Sequence, residues 1–512
     1  MARLSAVRPS SPRKPVPAGS PVPDEFALRR SALSVLADLS PAALRLGGIF
    51  AEAGHELALV GGPVRDAFLG RTSQDLDFAT SADPYVTERL LSRWSASVWD
   101  VGREFGTIGA HRDDVTVEVT TYRTDEYTPA SRKPVVAFGD SLEGDLSRRD
   151  FTVNAMAVRV PQLVFVDPFD GLGDLARGVL RTPVSPEQSF DDDPLRMLRA
   201  ARFAAQLSFA IEPAVVTAMT AMAGRMAIVS AERVQAEFTK LMLAPAPRRG
   251  LEVLVDTGLA QEILPELPAL RLEIDEHHRH KDVYEHTLIV VDQAIGLETG
   301  PDGAVPGPDL VLRLAALLHD IGKPPTKSLE PGGGVSFHHH ELVGARMAAR
   351  RLRALRYDKA TIAAVARLVE LHLRFHGYGE GAWTDSAVRR YVRDAGDLLE
   401  RLHRLTRADC TTRNRRKAQR LALAYDDLEA RIARLQQEEE LASIRPELDG
   451  GQIMACLGIP PGRQVGEAYR FLLDLRLERG PIGPEAAREA LLGWWAARPE
   501  GGAGEGQSSS GA

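Results

Sequence analysis

Two aspartates, Asp75 and Asp77, stand one residue apart in Asp75-Leu76-Asp77-Phe78, shortly after Gly61-Gly62-Pro63-Val64-Arg65-Asp66. On an extended segment, side chains at i and i+2 leave the same side of the chain. Paired carboxylates on one face suit two hard divalent cations, which in phosphoryl transfer activate an attacking oxygen and stabilise a leaving one. Gly61 and Gly62 let backbone amides approach a triphosphate, and Arg65 adds a permanent cation. Asp-x-Asp alone is common in acidic turns. A strand, a Gly-Gly turn, a helix and then Asp-x-Asp form a far more specific order.

A third carboxylate often completes such a site from a neighbouring strand, and Glu118 in Val115–Thr120 is the candidate. Further on, Arg148-Arg149-Asp150-Phe151-Thr152-Val153-Asn154-Ala155 embeds charge among apolar residues. There Arg149 suits a phosphate, while Asp150 and Asn154 suit a ribose hydroxyl. The third cluster is Asp192-Asp193-Pro194-Leu195-Arg196-Met197-Leu198-Arg199-Ala200-Ala201-Arg202-Phe203. Pro194 fits a first helical turn and Asp193 an N-cap. Arg196, Arg199 and Arg202 recur every three residues and line one face, beside an apolar stripe of Leu195, Leu198 and Ala201. Asp193 also accepts from an exocyclic amine and Arg196 donates to a ring nitrogen or carbonyl, a pair that admits cytosine and adenine and rejects uracil and guanine. Arg199 and Arg202 then reach a triphosphate.

The elements that must position these groups are legible. Leu57–Val60 is a buried strand running into the glycine turn, Val115–Thr120 alternates as a strand, and Val164–Asp167 reads as another. After about residue 185 the pattern is helical, with helices predicted at Pro194–Phe203, Pro213–Met222, Ala231–Leu243 and Leu310–His319. Pro245-Ala246-Pro247, Gly300–Pro308 and Pro331–Gly334 read as loops. The chain has 512 residues and a net charge of −7. No apolar run is long enough for a membrane span, so no membrane partner is expected. Cys410 and Cys456 are the only cysteines. They cannot form a disulfide framework, which fits a cytoplasmic protein. The first residues read as a disordered arm and the Gly/Ser stretch after Pro499 as a flexible tail. Against the acidic total, Arg401, Arg404, Arg407, Arg413, Arg415, Arg416, Lys417 and Arg420 crowd together, a candidate phosphate-tracking surface.

These motifs together resemble the bacterial class II tRNA nucleotidyltransferases, CCA-adding enzymes of the DNA polymerase β-like superfamily. The likeness rests on Gly61–Asp77, Arg148–Ala157, Asp167–Leu175, Asp192–Phe203 and Glu232–Phe238, in the family's order, and extends over roughly residues 35–495. One departure is Asp192-Asp193 where the family usually has Glu-Asp. The resemblance implies an α/β polymerase β-like head followed by an all-α neck, body and tail. It implies Mg²⁺ on Asp75 and Asp77, and nucleotide contacts from Gly62, Arg65, Arg149, Arg199 and Arg202. The implied reaction is template-independent addition of C, C and A to the 3′ end of tRNA from CTP and ATP. A poly(A) polymerase, or an enzyme adding only CC or only A, would carry almost the same motifs.

Leu314–Lys323 places His319-Asp320 at the end of an apolar helix. With His286 upstream, and His340, His372 and Asp409 downstream, it resembles an HD-superfamily metal-dependent phosphohydrolase domain, implying a second divalent metal there. A chain working chiefly as an HD phosphohydrolase is the alternative from another class. The expected organisation is an arm at 1–30, a head at 31–180, a helical neck at 181–265 and an HD domain at 266–400. A tRNA-binding helical body and tail follow at 401–497, then a flexible end at 498–512. Oligomeric state is not legible.

Overall fold

The computed structural model describes residues 41–71, 75–102, 106–126, 135–138, 141–272, 282–330, 335–378, 383–412, 414–439 and 445–498. The expected N-terminal arm lies outside them, as do the expected loop Pro331–Gly334, Arg413 and all of the expected C-terminal tail but Arg498. The chain divides into two compact units, 1–263 and 264–512.

The first unit begins with helix α1 (Pro41–Glu52), then strand β1 (Leu57–Val60), buried at all four positions. Gly61 turns the chain with φ of 73°, in the region that only glycine enters cheaply. Helix α2 (Gly62–Phe68) starts at once, with Pro63 in its first turn. Strand β2 (Asp75–Thr80) alternates exposed and buried, so Leu76 and Phe78 enter the core while Asp75 and Asp77 face outward together. After α3 (Pro84–Trp94) come β3 (Ser97–Gly102), β4 (Thr107–Arg112) and β5 (Val115–Thr121). A separate ribbon of β6 (Arg123–Glu126) and β7 (Val135–Phe138) leads to the short helix α4 (Leu142–Ser147). Strands β8 (Ala157–Val160) and β9 (Val164–Val166) complete a seven-stranded sheet in the order β3-β4-β5-β2-β1-β8-β9.

Every neighbour pair in that sheet is antiparallel except β2 with β5. The parallel pair sets Asp77 opposite Glu118, so their side chains share a face. Beneath, Ala58, Val60, Ala79, Tyr122, Leu142, Leu146, Ala155 and Ala157 form a closed apolar cluster. Burying such side chains stabilises the sheet by about 25 cal/mol per Å² of apolar surface.

Helices follow: α5 (Gly171–Arg177), α6 (Pro186–Asp192), α7 (Leu195–Leu207), α8 (Pro213–Met222), α9 (Ala231–Met242) and α10 (Pro247–Asp256). Helix α7 begins at Leu195, with the Asp193 carboxylate accepting the Leu195 amide at 3.2 Å. It buries its apolar stripe and, unexpectedly, most of Arg196 and Arg202 as well. Pro247, expected in a loop, occupies the first turn of α10. Its missing N–H costs nothing there.

The second unit is helical. It includes α11 (Val283–Gly296), α12 (Leu310–Leu318), α13 (His340–Ala354), α14 (Lys359–Leu371), α15 (Asp385–Ala395), α16 (Leu399–Asp409) and α17 (Arg415–Glu439). Three more helices, α18 (Gly450–Leu457), α19 (Arg463–Arg479) and α20 (Pro484–Ala496), pack around Ile453, Leu472 and Leu491. Among the described residues, no helix is long and apolar enough to cross a membrane.

Candidate active site and a second acidic-histidine centre

A cleft of about 710 Å³ opens in the first unit between the sheet face and helix α7. Its lining includes Gly61, Gly62, Arg65, Asp77 and Glu118, together with Arg149, Asp150, Asn154, Asp193, Arg196, Arg199 and Arg202. Asp75 lies on the same face of β2, two residues earlier and exposed. Recession within the cleft raises the Asp77 carboxyl above its ordinary range, Arg149 opposes that rise, and Glu118 and Asp75 add to it. The Asp75, Asp77 and Glu118 carboxylates on this face form a donor set suited to divalent cations.

The cationic wall is held by buried acids. Asp150 takes the Phe151 amide at 2.8 Å and Asn154 Nδ2 at 2.9 Å on Oδ1. Its Oδ2 takes Arg199 Nε at 2.8 Å and pairs with the other guanidinium arm at 2.6 Å. Burial pushes the Asp150 carboxyl up, but Arg199, these hydrogen bonds and Arg196 outweigh it and hold it at about 2. Asn154 also accepts from Arg65 at 2.6 Å, and Arg65 grips Asp66 through two nitrogens. Asp145, fully buried on α4, pairs with Arg148 at 3.0 Å and Arg149 at 3.1 Å. Its carboxyl is lowered despite burial because both arginines face it. The Arg149 Nε is buried without a hydrogen-bond acceptor, and Nη1 lies 3.0 Å from where a Cβ on Gly61 would stand.

On α7, Arg196 donates to the Ser189 hydroxyl at 3.0 Å and the Arg148 carbonyl at 2.5 Å. Buried Glu237 on α9 contacts Arg202 at 2.6 Å and Arg199 at 3.8 Å. Arg202 also lies 3.8 Å over the Phe203 ring. Asp193 accepts from Arg233, again on α9, at 2.7 Å.

Of the residues expected at this site, all but Asp75 line the one cleft, with differences of emphasis. Asp150, expected beside a ribose, spends both oxygens on protein donors. Arg65, expected on a triphosphate, also lines the cleft, largely buried and tied to Asp66 and Asn154. Sequence reasoning did not single out Asp145, Arg233 and Glu237. Glu237 and Arg233 do lie in the noted Glu232–Phe238 segment, and a carboxylate on the apolar side of a helix signals a buried cationic partner.

The expected arginine-rich surface needs correction. Arg401 is committed to Asp309, Arg404 to Glu400, and Arg407 to Asp426 and Glu429. Ion pairs within the chain spend these charges, leaving Arg415, Arg416, Lys417 and Arg420 as the exposed group on α17.

In the second unit, His286, His319, Asp320, His340, His372 and Asp409 converge. His319 Nε2 stands 3.3 Å from His286 Nε2 and 3.1 Å from Asp320 Oδ2; His286 Nε2 is 2.9 Å from Asp409 Oδ1. His340 and His372 approach the other Asp320 oxygen at 3.4 and 4.0 Å. Each Nδ1 is engaged from behind, by Ala316, Phe337 and Val369 carbonyls and by the Thr411 hydroxyl, so the Nε2 atoms point inward. Two triads share Asp320: His286/His319/Asp320 and Asp320/His340/His372. Burial disfavours charge on His319, but Asp320 and Asp409 outweigh it and raise it to about 9. Burial and the His319 charge drop His372 to about 3. The buried His340 and His372 Nε2 atoms have no hydrogen-bond partner, which suits metal ligation. His338 and His339 stay at the surface.

A mixed sheet presenting paired carboxylates, facing an arginine-bearing helix across a triphosphate-sized cleft, defines a nucleotidyltransferase. The "Poly A polymerase head domain" family profile matches residues 57–181. The "Probable RNA and SrmB- binding site of polymerase A" profile matches 208–270, and the "HD domain" profile 283–434. An A-adding tRNA nucleotidyltransferase of Deinococcus radiodurans is 36% identical over 446 residues, covering 85% of this chain and 95% of that one. The chain therefore belongs to the tRNA nucleotidyltransferase family. A CCA-adding enzyme of Bacillus subtilis is 44% identical over 216 residues, 42% of this chain and 53% of that relative. The chain thus spans about half the length of such CCA-adding relatives. A Bacillus stearothermophilus CCA-adding enzyme solved in complex with CTP shares the fold, with a TM-score of 0.64 at 24% identity over 90% of this chain and 98% of that one.

Proposed function

We propose that this chain adds C, C and A, without a template, to the 3′ end of tRNA from CTP and ATP. The observation that carries this is the opposition, across one cleft, of Asp77 and Glu118 to Asp193, Arg196, Arg199 and Arg202. The tRNA 3′ hydroxyl attacks the α-phosphate, and pyrophosphate leaves. Asp75, Asp77 and Glu118 would hold Mg²⁺, which supplies activation of the hydroxyl and charge stabilisation at the leaving group. The protein's own groups do the positioning. Arg149, Arg199 and Arg202 face the phosphates, with Asp145, Asp150 and Glu237 fixing their directions. Gly61 and Gly62 bring the backbone close to the triphosphate. Asp193 accepts the exocyclic amine of cytosine or adenine and Arg196 donates to the adjacent acceptor.

The exposed Arg415, Arg416, Lys417 and Arg420 suit the phosphates of the tRNA. The six-residue centre of the second unit suits one or two further divalent cations, with His286, His319 and Asp409 around one position and His340 and His372 around another, joined by Asp320. The cytoplasm is the compartment in which tRNA is matured.

A-only addition is the second reading, favoured by the A-adding relative matched along almost its whole length. Purified protein incubated with tRNA ending at the discriminator base, and separately with tRNA ending in CC, decides between them. CCA addition extends both; A-only addition extends the second alone. Incorporation of neither CTP nor ATP into either tRNA overturns both readings.

A further inference from the structure

Strands β3, β4, β5 and β2 lie side by side, and one transverse row crosses them: Trp99 opposite Gly109, Gly109 opposite Glu118, Glu118 opposite Asp77. Directly opposed residues on neighbouring strands share a face. Trp99, on the edge strand, therefore stands on the face that carries the carboxylates. Its ring lies down on the sheet. A Cβ on Gly109 would meet Trp99 Cε2 at 2.6 Å, Nε1 at 2.7 Å and Cζ2 at 2.9 Å. Cε2 is nearest and its two bonded neighbours are slightly farther, as for a point over a ring face rather than beyond its edge. Gly109 thus lets the indole rest against the β4 backbone, and a side chain there would displace it.

Although one side of its ring is covered, Trp99 remains 40% exposed. The cleft lining runs toward it over Glu118, Thr120, Thr107 and Gly102, on these same strands. With neighbouring strands about 4.8 Å apart, an indole over β4 lies about 5 Å across the sheet from Glu118 and about 10 Å from Asp77. The two flanks of the carboxylates differ in chemistry. On the β1 flank, Gly61, Arg65, Arg149 and Asn154 meet the arginines of α7, which suits a triphosphate. On the other flank the face carries Thr120, Thr107, Gly109 and Trp99, with Arg123 donating to the Thr107 hydroxyl at 3.3 Å. Attacking and leaving oxygens lie roughly in line in phosphoryl transfer. An accepting strand therefore enters on the flank away from the triphosphate, and the base on its last sugar lies toward the indole.

We propose that Trp99 is a stacking platform for the 3′-terminal base of the tRNA. This rests on the reading of the cleft as the site of nucleotidyl transfer. Every base has a π-face, so stacking on an aromatic ring is sequence-tolerant. That tolerance fits a terminus that is first the discriminator base, then C, then a second C. A site that hydrogen-bonded one of these bases would reject another.

The test uses the full chain and tRNA ending in CC, either intact or with its terminal base removed and the 3′ hydroxyl kept. The kcat/KM for tRNA and the KM for ATP are measured for the wild type, Trp99→Ala, Trp99→Leu and Trp99→Phe. Trp99→Ala should lower kcat/KM for intact tRNA by about fivefold to a hundredfold, the scale of one base–aromatic stack, with KM for ATP unchanged. On the abasic tRNA the wild type and Trp99→Ala should perform alike. Trp99→Phe should keep most of the wild-type value, while Trp99→Leu, which covers Gly109 without a π-face, should fall with Trp99→Ala. Four results overturn the inference and leave the proposed function standing: rescue by Trp99→Leu, an undiminished effect of Trp99→Ala on the abasic tRNA, an unchanged kcat/KM in Trp99→Ala, or a change confined to KM for ATP. A wild type that adds no A to the intact tRNA overturns the proposed function instead.

Discussion

Asp150→Asn separates the roles of two oxygens on one side chain. Oδ1 accepts from the Phe151 amide and Asn154, while Oδ2 accepts only from Arg199. An amide reproduces the first role, because its carbonyl oxygen still accepts. It reverses the second, because an N–H then faces a guanidinium that can only donate. Removing one partner of a buried ion pair costs roughly 3–5 kcal/mol, and retention of the Oδ1 bonds places this change near about 3 kcal/mol. For a unit of this size, that lowers the thermal midpoint by about 6–12 °C. The pH dependence is a second check. Asp150 sits at about 2 in the folded chain against an ordinary value of 3.8. It therefore contributes about 2 kcal/mol that is fully present above the ordinary value and is lost as pH falls through the lower one. The variant lacks this term, so the gap between wild type and variant should narrow toward acid pH. Freed from Asp150, Arg199 should also position the triphosphate poorly, raising KM for CTP and ATP by about tenfold or more. Calorimetric scans from pH 3 to 8 and steady-state incorporation assays measure both. An unchanged midpoint with an unchanged KM would refute the claim that Asp150 orients Arg199.

Three other outcomes follow from the same geometry. Asp77→Asn should lower nucleotide incorporation by about a thousandfold. Because the Asp77 carboxyl is raised on folding, its ionised form opposes the fold at high pH; in chelator at pH 8 the variant should melt no earlier than wild type, as differential scanning would read. Gly61→Ala forces a side chain into positive φ and against Arg149 Nη1, so it should cost about 1–3 kcal/mol in denaturant titrations and reduce kcat/KM for both nucleotides. Full-length protein loaded with Mn²⁺ and dialysed should retain less metal in His319→Ala, as elemental analysis would measure; equal content would argue against the six-residue centre as a metal site.

Much of the head was legible because its chemistry is local. Leu57–Val60 and the Gly61-Gly62 turn read directly from an apolar run meeting a glycine pair. The Asp75/Asp77 face follows from strand periodicity alone. Glu118 stands opposite Asp77 only through the β2–β5 pairing, which joins segments about 40 residues apart. What escaped reading was charge bookkeeping between distant segments. Arg401 looked like part of an RNA-facing surface, yet its partner Asp309 lies 92 residues earlier. Asp145 has its partners Arg148 and Arg149 three and four residues on, but Glu237 and Arg233 meet Arg202 and Asp193 on other elements, which spacing along the sequence does not reveal. The histidine centre was found from its His-Asp pair, but its division into two triads around Asp320 depends on four helices meeting.

The central claim is that one cleft both transfers a nucleotide and chooses C or A. Its most direct test is to incubate the full chain with Mg²⁺, all four nucleoside triphosphates and a tRNA ending at the discriminator base, and to sequence the new 3′ ends. The account predicts ends of C, then CC, then CCA, with neither U nor G incorporated and all three absent in Asp77→Ala. Ends carrying U or G as often as C or A, or no extension of this tRNA or of one ending in CC, would contradict it.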